Sequence, residues 1–183
     1  MFHNILVCVD GSVHSDRALD EAIDLATTEN GRLTILTAVP RLPAWAGTSA
    51  TAAAVQPLAN ELRAQATTAL RDAVDRVPQS MPVTMILSEK PIREALTEQL
   101  RAGTYDLLVM GSRGRGALSS SVLGSVSHYA LNHAGVPVLI IHAAVAQNSE
   151  QSVDDRPRSG ATPSAEPDEA DPRVPAETAT SIA

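Results

Sequence analysis

Residues 106–142 read DLLVMGSRGRGALSSSVLGSVSHYALNHAGVPVLIIH, and this stretch decides the architecture. Asp106–Met110 is a short apolar run, the composition of a strand covered on both faces. Gly111, Gly114 and Gly116 follow directly, and a helix-spaced segment runs from about Val122 to His133. Gly135 and Pro137 end it, and Val136–His142 is again strand-like. Strand, glycine loop, helix and strand make a crossover unit, which demands parallel strands.

The same alternation extends towards the N-terminus. Asn4–Val9 (NILVCV) is an apolar, β-branched run. Ser15–Thr28 places Ala18, Leu19, Ala22, Ile23, Leu25 and Ala26 at helical spacing with Asp16, Asp20 and Asp24 opposite, and Ser15 is the expected N-cap. Leu33–Val39 is a second strand, followed by an irregular stretch around Pro40, Pro43, Trp45 and Gly47. Pro57 is expected in the first turn of a long helix reaching about Arg76, with Asp72, Asp75 and Arg76 on its solvated face. Val83–Leu87 is a third strand, and Pro91 opens a helix carrying Ile92, Ala95, Leu96, Gln99 and Leu100. The expected fold class is therefore α/β: a five-stranded parallel sheet sandwiched by helices, with residues 1–143 as one domain. In such sheets ligands bind beyond the carboxyl ends of the strands, where strand order reverses, so the loops after Val9, Val39 and Met110 are the candidates.

Composition narrows the function classes. Of 183 residues 44% are hydrophobic and 19% charged, which supports a packed core. Residues 144–183 carry 8 acidic and 3 basic residues with 5 of the 12 prolines, and are expected to be a disordered acidic tail. The formal net charge of −7 and 2% aromatic content argue against nucleic-acid binding. No apolar run approaches the roughly 20 residues of a membrane span, and the N-terminus lacks signal-peptide character, so a cytoplasmic location is expected. Cys8, the one cysteine, excludes an internal disulfide and reads as a small buried hydrophobe. His128 and His133 lie five apart and do not share a helix face, so no metal site is expected; His3 and His142 read as ordinary surface groups.

The glycines after Met110 let the backbone approach a ligand, and the N–H groups at the helix start near Gly124-Ser125 suit an anion. Ser125, Ser127, Arg113 and Arg115 can add phosphate contacts. A tight β–α turn with solvated arginines accounts for the bare glycine pattern equally well. The loop is not a Walker motif, because the lysine is missing, and Asp10-Gly11-Ser12-Val13-His14 lacks the dinucleotide pattern. No G-x-S-x-G elbow surrounds Ser112 or Ser125.

The spacing Gly111-x2-Gly114-x9-Gly124-Ser125, with ILVCVDGS at the first strand and VPVLII at the last, resembles the nucleotide-binding branch of the universal stress proteins. The resemblance covers residues 3–142 and implies a Rossmann-like fold of the adenine nucleotide hydrolase type. It implies an ATP-binding, stress-responsive homodimeric switch, with magnesium accompanying the triphosphate and AMP or another adenine nucleotide as alternatives. It implies that Asp10 holds the ribose and adenine end, and that Val39 reads adenine through its backbone N–H and C=O. Met110, Gly111, Ser112, Arg113, Gly114, Arg115, Gly116 and Ala117 would wrap the ribose and phosphates. Gly124, Ser125 and Val126 would close over the phosphates, and Cys8 and Val9 would form the floor. ATP-holding relatives often carry a basic residue shortly before the second Gly-Ser, whereas residues 117–123 here (ALSSSVL) have none. Losing one such contact costs on the order of 1.5–3 kcal/mol, which bears on the triphosphate more than on the adenosine.

The resemblance also implies pairing of two chains through the last strand, Val136–Ile141, with an unidentified regulatory protein reading the switch. An edge strand of that composition offers unpaired backbone to its two-fold mate. No general base, nucleophile or metal cluster is positioned, so at most slow ATP hydrolysis is expected. Two alternatives remain: a dimerisation module without ligand, and an ATP-dependent enzyme using Lys90, the one lysine of the chain.

Overall fold

In β1 (Asn4–Cys8), Ile5 and Val7 face one side of the sheet while Leu6 and Cys8 face the other, and all four are buried. A strand whose two faces are both apolar must be covered twice. The computed structural model describes residues 1–42, 52–115 and 123–143, with side chains from Val55 onward in the second segment. Among these residues five strands pair in parallel in the order β3-β2-β1-β4-β5, with β2 at Arg32–Ala38, β3 at Val83–Ser88, β4 at Leu107–Gly111 and β5 at Val138–Ile141.

Helices α1 (Val13–Thr28) and α2 (Ala52–Asp75) cover one face. Ala18, Leu19, Ala22, Leu70 and Ala73 pack there on Ile5, Val7, Leu33, Ile35 and Val109. Helices α3 (Ile92–Ala102) and α4 (Ser125–His133) cover the other, where Ala95, Leu96 and Ala130 meet Leu6, Leu36, Leu108 and Met110. The alanines on the helix faces let backbones approach the sheet closely, and the β-branched and leucine side chains of the strands fill the space. The expected α/β sandwich is the observed fold.

Several boundaries differ from expectation. The N-cap of α1 is Ser12, not Ser15. Ser12 Oγ accepts the Ser15 N–H at 3.3 Å, and Ser15 Oγ accepts the Ser12 N–H at 3.0 Å, a reciprocal capping box. The apolar periodicity begins only at Ala18, so the first polar turn escaped it. Pro57 lies inside α2 rather than in its first turn, because the alanine-rich run Ala52–Ala54 continues the helix ahead of it. Its exposure leaves water to satisfy the freed carbonyl. Arg76 is not merely solvated: its guanidinium pairs with Asp20 and Asp16 of α1, tying the two helices together. The strands β2 to β5 shift by one or two residues at their ends, and α4 is described from Ser125. Trp45 and the expected tail lie outside the described residues.

The chain runs outward from β1 through β2 to β3, then returns to lay β4 on the other side of β1. The reversal falls between β1 and β4, whose last paired residues are Cys8 and Met110. Both strands therefore deliver their following loops to one place.

Candidate functional site

Asp10 joins the two loops. Its Oδ1 accepts the Ser12 N–H at 3.0 Å, and its Oδ2 accepts the Arg115 N–H, 105 residues away, at 3.0 Å. Gly11 turns the chain with a φ of +74°, a conformation that favours glycine. A Cβ on Gly114 would overlap Asp10 Oδ2, so the second loop approaches the carboxylate only because this position is bare. Ser12 Oγ donates to the Arg113 carbonyl at 3.4 Å, a second tie between the loops.

The start of α4 is held differently. Gly124 N–H donates to the Ser112 carbonyl at 2.7 Å, and the buried Ser127 Oγ donates to the carbonyl of Gly111 at 2.9 Å. Arg93 of α3 donates to the Ser125 carbonyl at 3.2 Å. The N-cap, Gly124, supplies no side-chain acceptor to the first turn, and that turn holds no acidic residue. Its N–H groups keep their partial positive charge facing outward beside an exposed Ser125. Arg113 is half-buried, and its Nε is buried without a hydrogen-bond partner. A helix start whose N-cap offers no acceptor can accept an anion, and the Arg113 backbone lies beside it, its Cα 3.4 Å from where a Gly124 Cβ would stand.

The remaining expected site residues sort by depth. Cys8, Val9, Met110, Gly111 and Ser112 are buried, and the side chain of Val126 packs into the core beneath α4. Burial, reinforced by the Asp10 charge, pushes the Cys8 thiol up to about 12, so it is inert as a nucleophile. Arg115 is exposed, with its guanidinium over Gly11. Gly116 and Ala117 lie outside the described residues. The expectation for Val39 needs a correction: its N–H already donates to the Ser88 carbonyl of β3 at 2.9 Å, extending the sheet by one bond. That leaves only its carbonyl for a base.

Two functional-looking residues were missed. His142 is no isolated surface group, because its Nδ1 lies 2.9 Å from Ser112 Oγ. His14, in the first turn of α1, places its Nδ1 3.3 Å from the same hydroxyl. No local pattern signals this cluster, since its members are 98 and 30 residues from Ser112. Other candidates are structural. Lys90 pairs with Glu98 at 2.7 Å, which raises its pKa and keeps it cationic, so it is no general base. His133 Nδ1 bonds the Tyr129 carbonyl, and its ring stacks on Tyr129. No group of three or more metal-ligating side chains occurs among the described residues. No helix among them is long and apolar enough to cross a membrane.

A parallel sheet in the order β3-β2-β1-β4-β5, with a glycine loop and an uncapped helix at its switch point, defines a doubly wound α/β protein. The chain belongs to the universal stress protein family, whose model matches residues 1–142. It is 32% identical over 149 residues to universal stress protein YxiE of Bacillus subtilis, covering 77% of this chain and 99% of that one. Universal stress protein UspA from Lactobacillus plantarum superimposes with a TM-score of 0.63 at 23% identity, over 76% of this chain and 97% of that one. A universal stress protein solved in complex with cAMP superimposes with a TM-score of 0.54 at 27% identity, over 77% of this chain and 97% of that one.

Proposed function

We propose that this protein is a stress-response regulator that binds an adenine nucleotide, ATP with magnesium or a smaller adenine nucleotide, at the ends of β1 and β4. The observation that carries the reading is the convergence of Asp10, the Gly111–Arg115 loop and the uncapped start of α4, with Arg113 Nε unpartnered beside them. The cAMP bound to a relative at 27% identity supports an adenine ligand. In this reading the free N–H groups of Ser125 and Val126 and the Arg113 guanidinium hold phosphate. Asp10 retains acceptor capacity for a ribose hydroxyl, and the Val39 carbonyl faces the adenine amino group. Cys8 and Val9 close the floor, while Met110–Ala117 encloses the sugar. Magnesium would neutralise part of the phosphate charge, a need made greater by the missing base between Gly116 and Gly124.

The switch would operate through a homodimer. The position of β5 at the sheet edge favours pairing two chains through Val136–Ile141, since all four residues of β5 are only half-buried in one chain. Ligand at the start of α4, which leads directly into β5, would bias that pairing and so be read by a regulatory protein in the cytoplasm.

Isothermal titration of ligand-stripped protein with ATP and magnesium, AMP and cAMP tests the reading. Dissociation constants on the order of micromolar are expected. In Gly114→Ala the affinity should fall at least about tenfold, because the added methyl displaces Asp10 or the loop. Absence of binding by all three, in protein whose circular dichroism is native, would sink the nucleotide reading. A light-scattering mass about twice the 19.2 kDa chain would then leave the dimerisation module as the better description.

A further inference from the structure

We propose that His14, Ser112 and His142 form a proton-operated latch: neutral His14 fastens the chain leaving β5 to the first turn of α1, and protonation of His14 releases it. Three elements meet at this point. Ser112 follows β4, His142 follows β5, and His14 stands in the first turn of α1. The Ala143 N–H donates to His14 Nδ1 at 2.9 Å across 129 residues of sequence. A backbone N–H can only donate, so His14 Nδ1 carries a lone pair and the ring proton sits on Nε2. That lone pair is taken by the Ala143 N–H, so Ser112 Oγ, at 3.3 Å from His14 Nδ1, shares it only weakly and makes its shorter contact, 2.9 Å, with His142 Nδ1. Gly111 makes the approach possible, since a Cβ there would come within 2.7–2.8 Å of the His14 backbone and Cβ.

Adding a proton to His14 Nδ1 turns an acceptor into a donor. The Ala143 N–H would then face another N–H, in a residue only 4% exposed. A buried donor without an acceptor is strongly disfavoured. The charged surroundings mostly resist protonation as well. His142 lies 5.1 Å away between ring centroids, and Arg113 contributes positive charge from the β4 loop. Asp10, at the end of β1, is the opposing carboxylate, with both oxygens already engaged by backbone N–H groups. Burial first, then the neighbouring His142 and Arg113, hold the His14 pKa below the ordinary 6.5. The folded state therefore binds this proton less readily than the unfolded chain does. The latch contributes fully above 6.5 and is lost as pH falls from there through the lower folded-state value.

The latch stands independently of any nucleotide, and it is tested by nuclear magnetic resonance on the full, isotopically labelled chain without ligand. At about pH 8 long-range nitrogen–proton spectra should show His14 as the Nε2–H tautomer, and the Ala143 amide should be protected from exchange. As pH falls below about 6.5 the protection factor of Ala143 should fall, by up to about tenfold for each pH unit, and level off below the pH at which His14 of the folded chain itself takes the proton. His14→Asn supplies a non-titrating Oδ1 acceptor and should hold the protection constant over this range. An Nδ1–H tautomer at pH 8, Ala143 protection indifferent to the His14 titration, or an unchanged pH dependence in His14→Asn would each overturn the latch. If His14→Asn does not fold, the tautomer and the Ala143 protection profile of the unmodified chain decide the question alone.

Discussion

The two helices that start at the switch point satisfy their first turns in opposite ways. The start of α1 is closed by its own residues: Ser12 and Ser15 cap each other, Asp10 takes the Ser12 N–H, and Asp16 adds negative charge to the first turn. The start of α4 has glycine as its N-cap, no acidic residue in its first turn and an exposed Ser125. A helix end that supplies its own acceptors is a structural joint. One that does not leaves its amides for something else, and phosphate is the chemical class that matches them. Gly124, the N-cap of α4, therefore differs in meaning from Gly11, which only turns the chain into α1.

The substitution that most severely breaks this contrast is Asp10→Ala. It removes the acceptor of both the Ser12 and the Arg115 N–H groups, so the closed turn and the open loop are lost together. Urea denaturation should show a loss of about 2–3 kcal/mol, with Asp10→Asn losing roughly half as much because one oxygen remains. Equal losses in the two variants would mean that only one of these bonds matters. Ser12→Ala removes the cap of the closed turn and, with it, one long tie of 3.4 Å to the Arg113 carbonyl. It should cost about 1 kcal/mol through the cap and leave any ligand affinity within about twofold, as read by the same denaturation and by titration. Ser125→Asp sharpens the contrast with the smallest change in stability. An acidic residue in the first turn of α4 should raise stability by about 0.3–0.5 kcal/mol, while repelling phosphate and weakening nucleotide binding severalfold. Stability and affinity moving in the same direction would count against an anion site at this helix.

Much of the fold was legible because both of its periodicities are local. The near-continuous apolar runs Ile5–Cys8 and Leu33–Leu36 mark strands buried on two faces, and the spacing of Ala18, Leu19 and Ala22 marks the inner face of α1. The misread details have separate causes. The sequence does not mark Ser12 as the cap, because the polar first turn of α1 carries no apolar rhythm. Pro57 was set too early because helix propensity on its N-terminal side outweighed the usual position of proline. Arg76 was assigned to solvent because its partners, Asp16 and Asp20, belong to another helix.

The sequence by itself determined the class of fold, the strand and helix order and the glycine loop with its helix, since each depends on residues within a few positions of one another. Only the tertiary structure decided that Asp10 clips two loops, that the Val39 N–H belongs to the sheet, and that His14, Ser112 and His142 share hydrogen bonds. These contacts join residues 30 to 105 positions apart. They exist because parallel pairing of β1 with β4 and of β4 with β5 brings three strand ends to one rim. A hydrogen bond is directional to a few tenths of an ångström, and no local pattern of residue types records which distant partner that register will bring within reach.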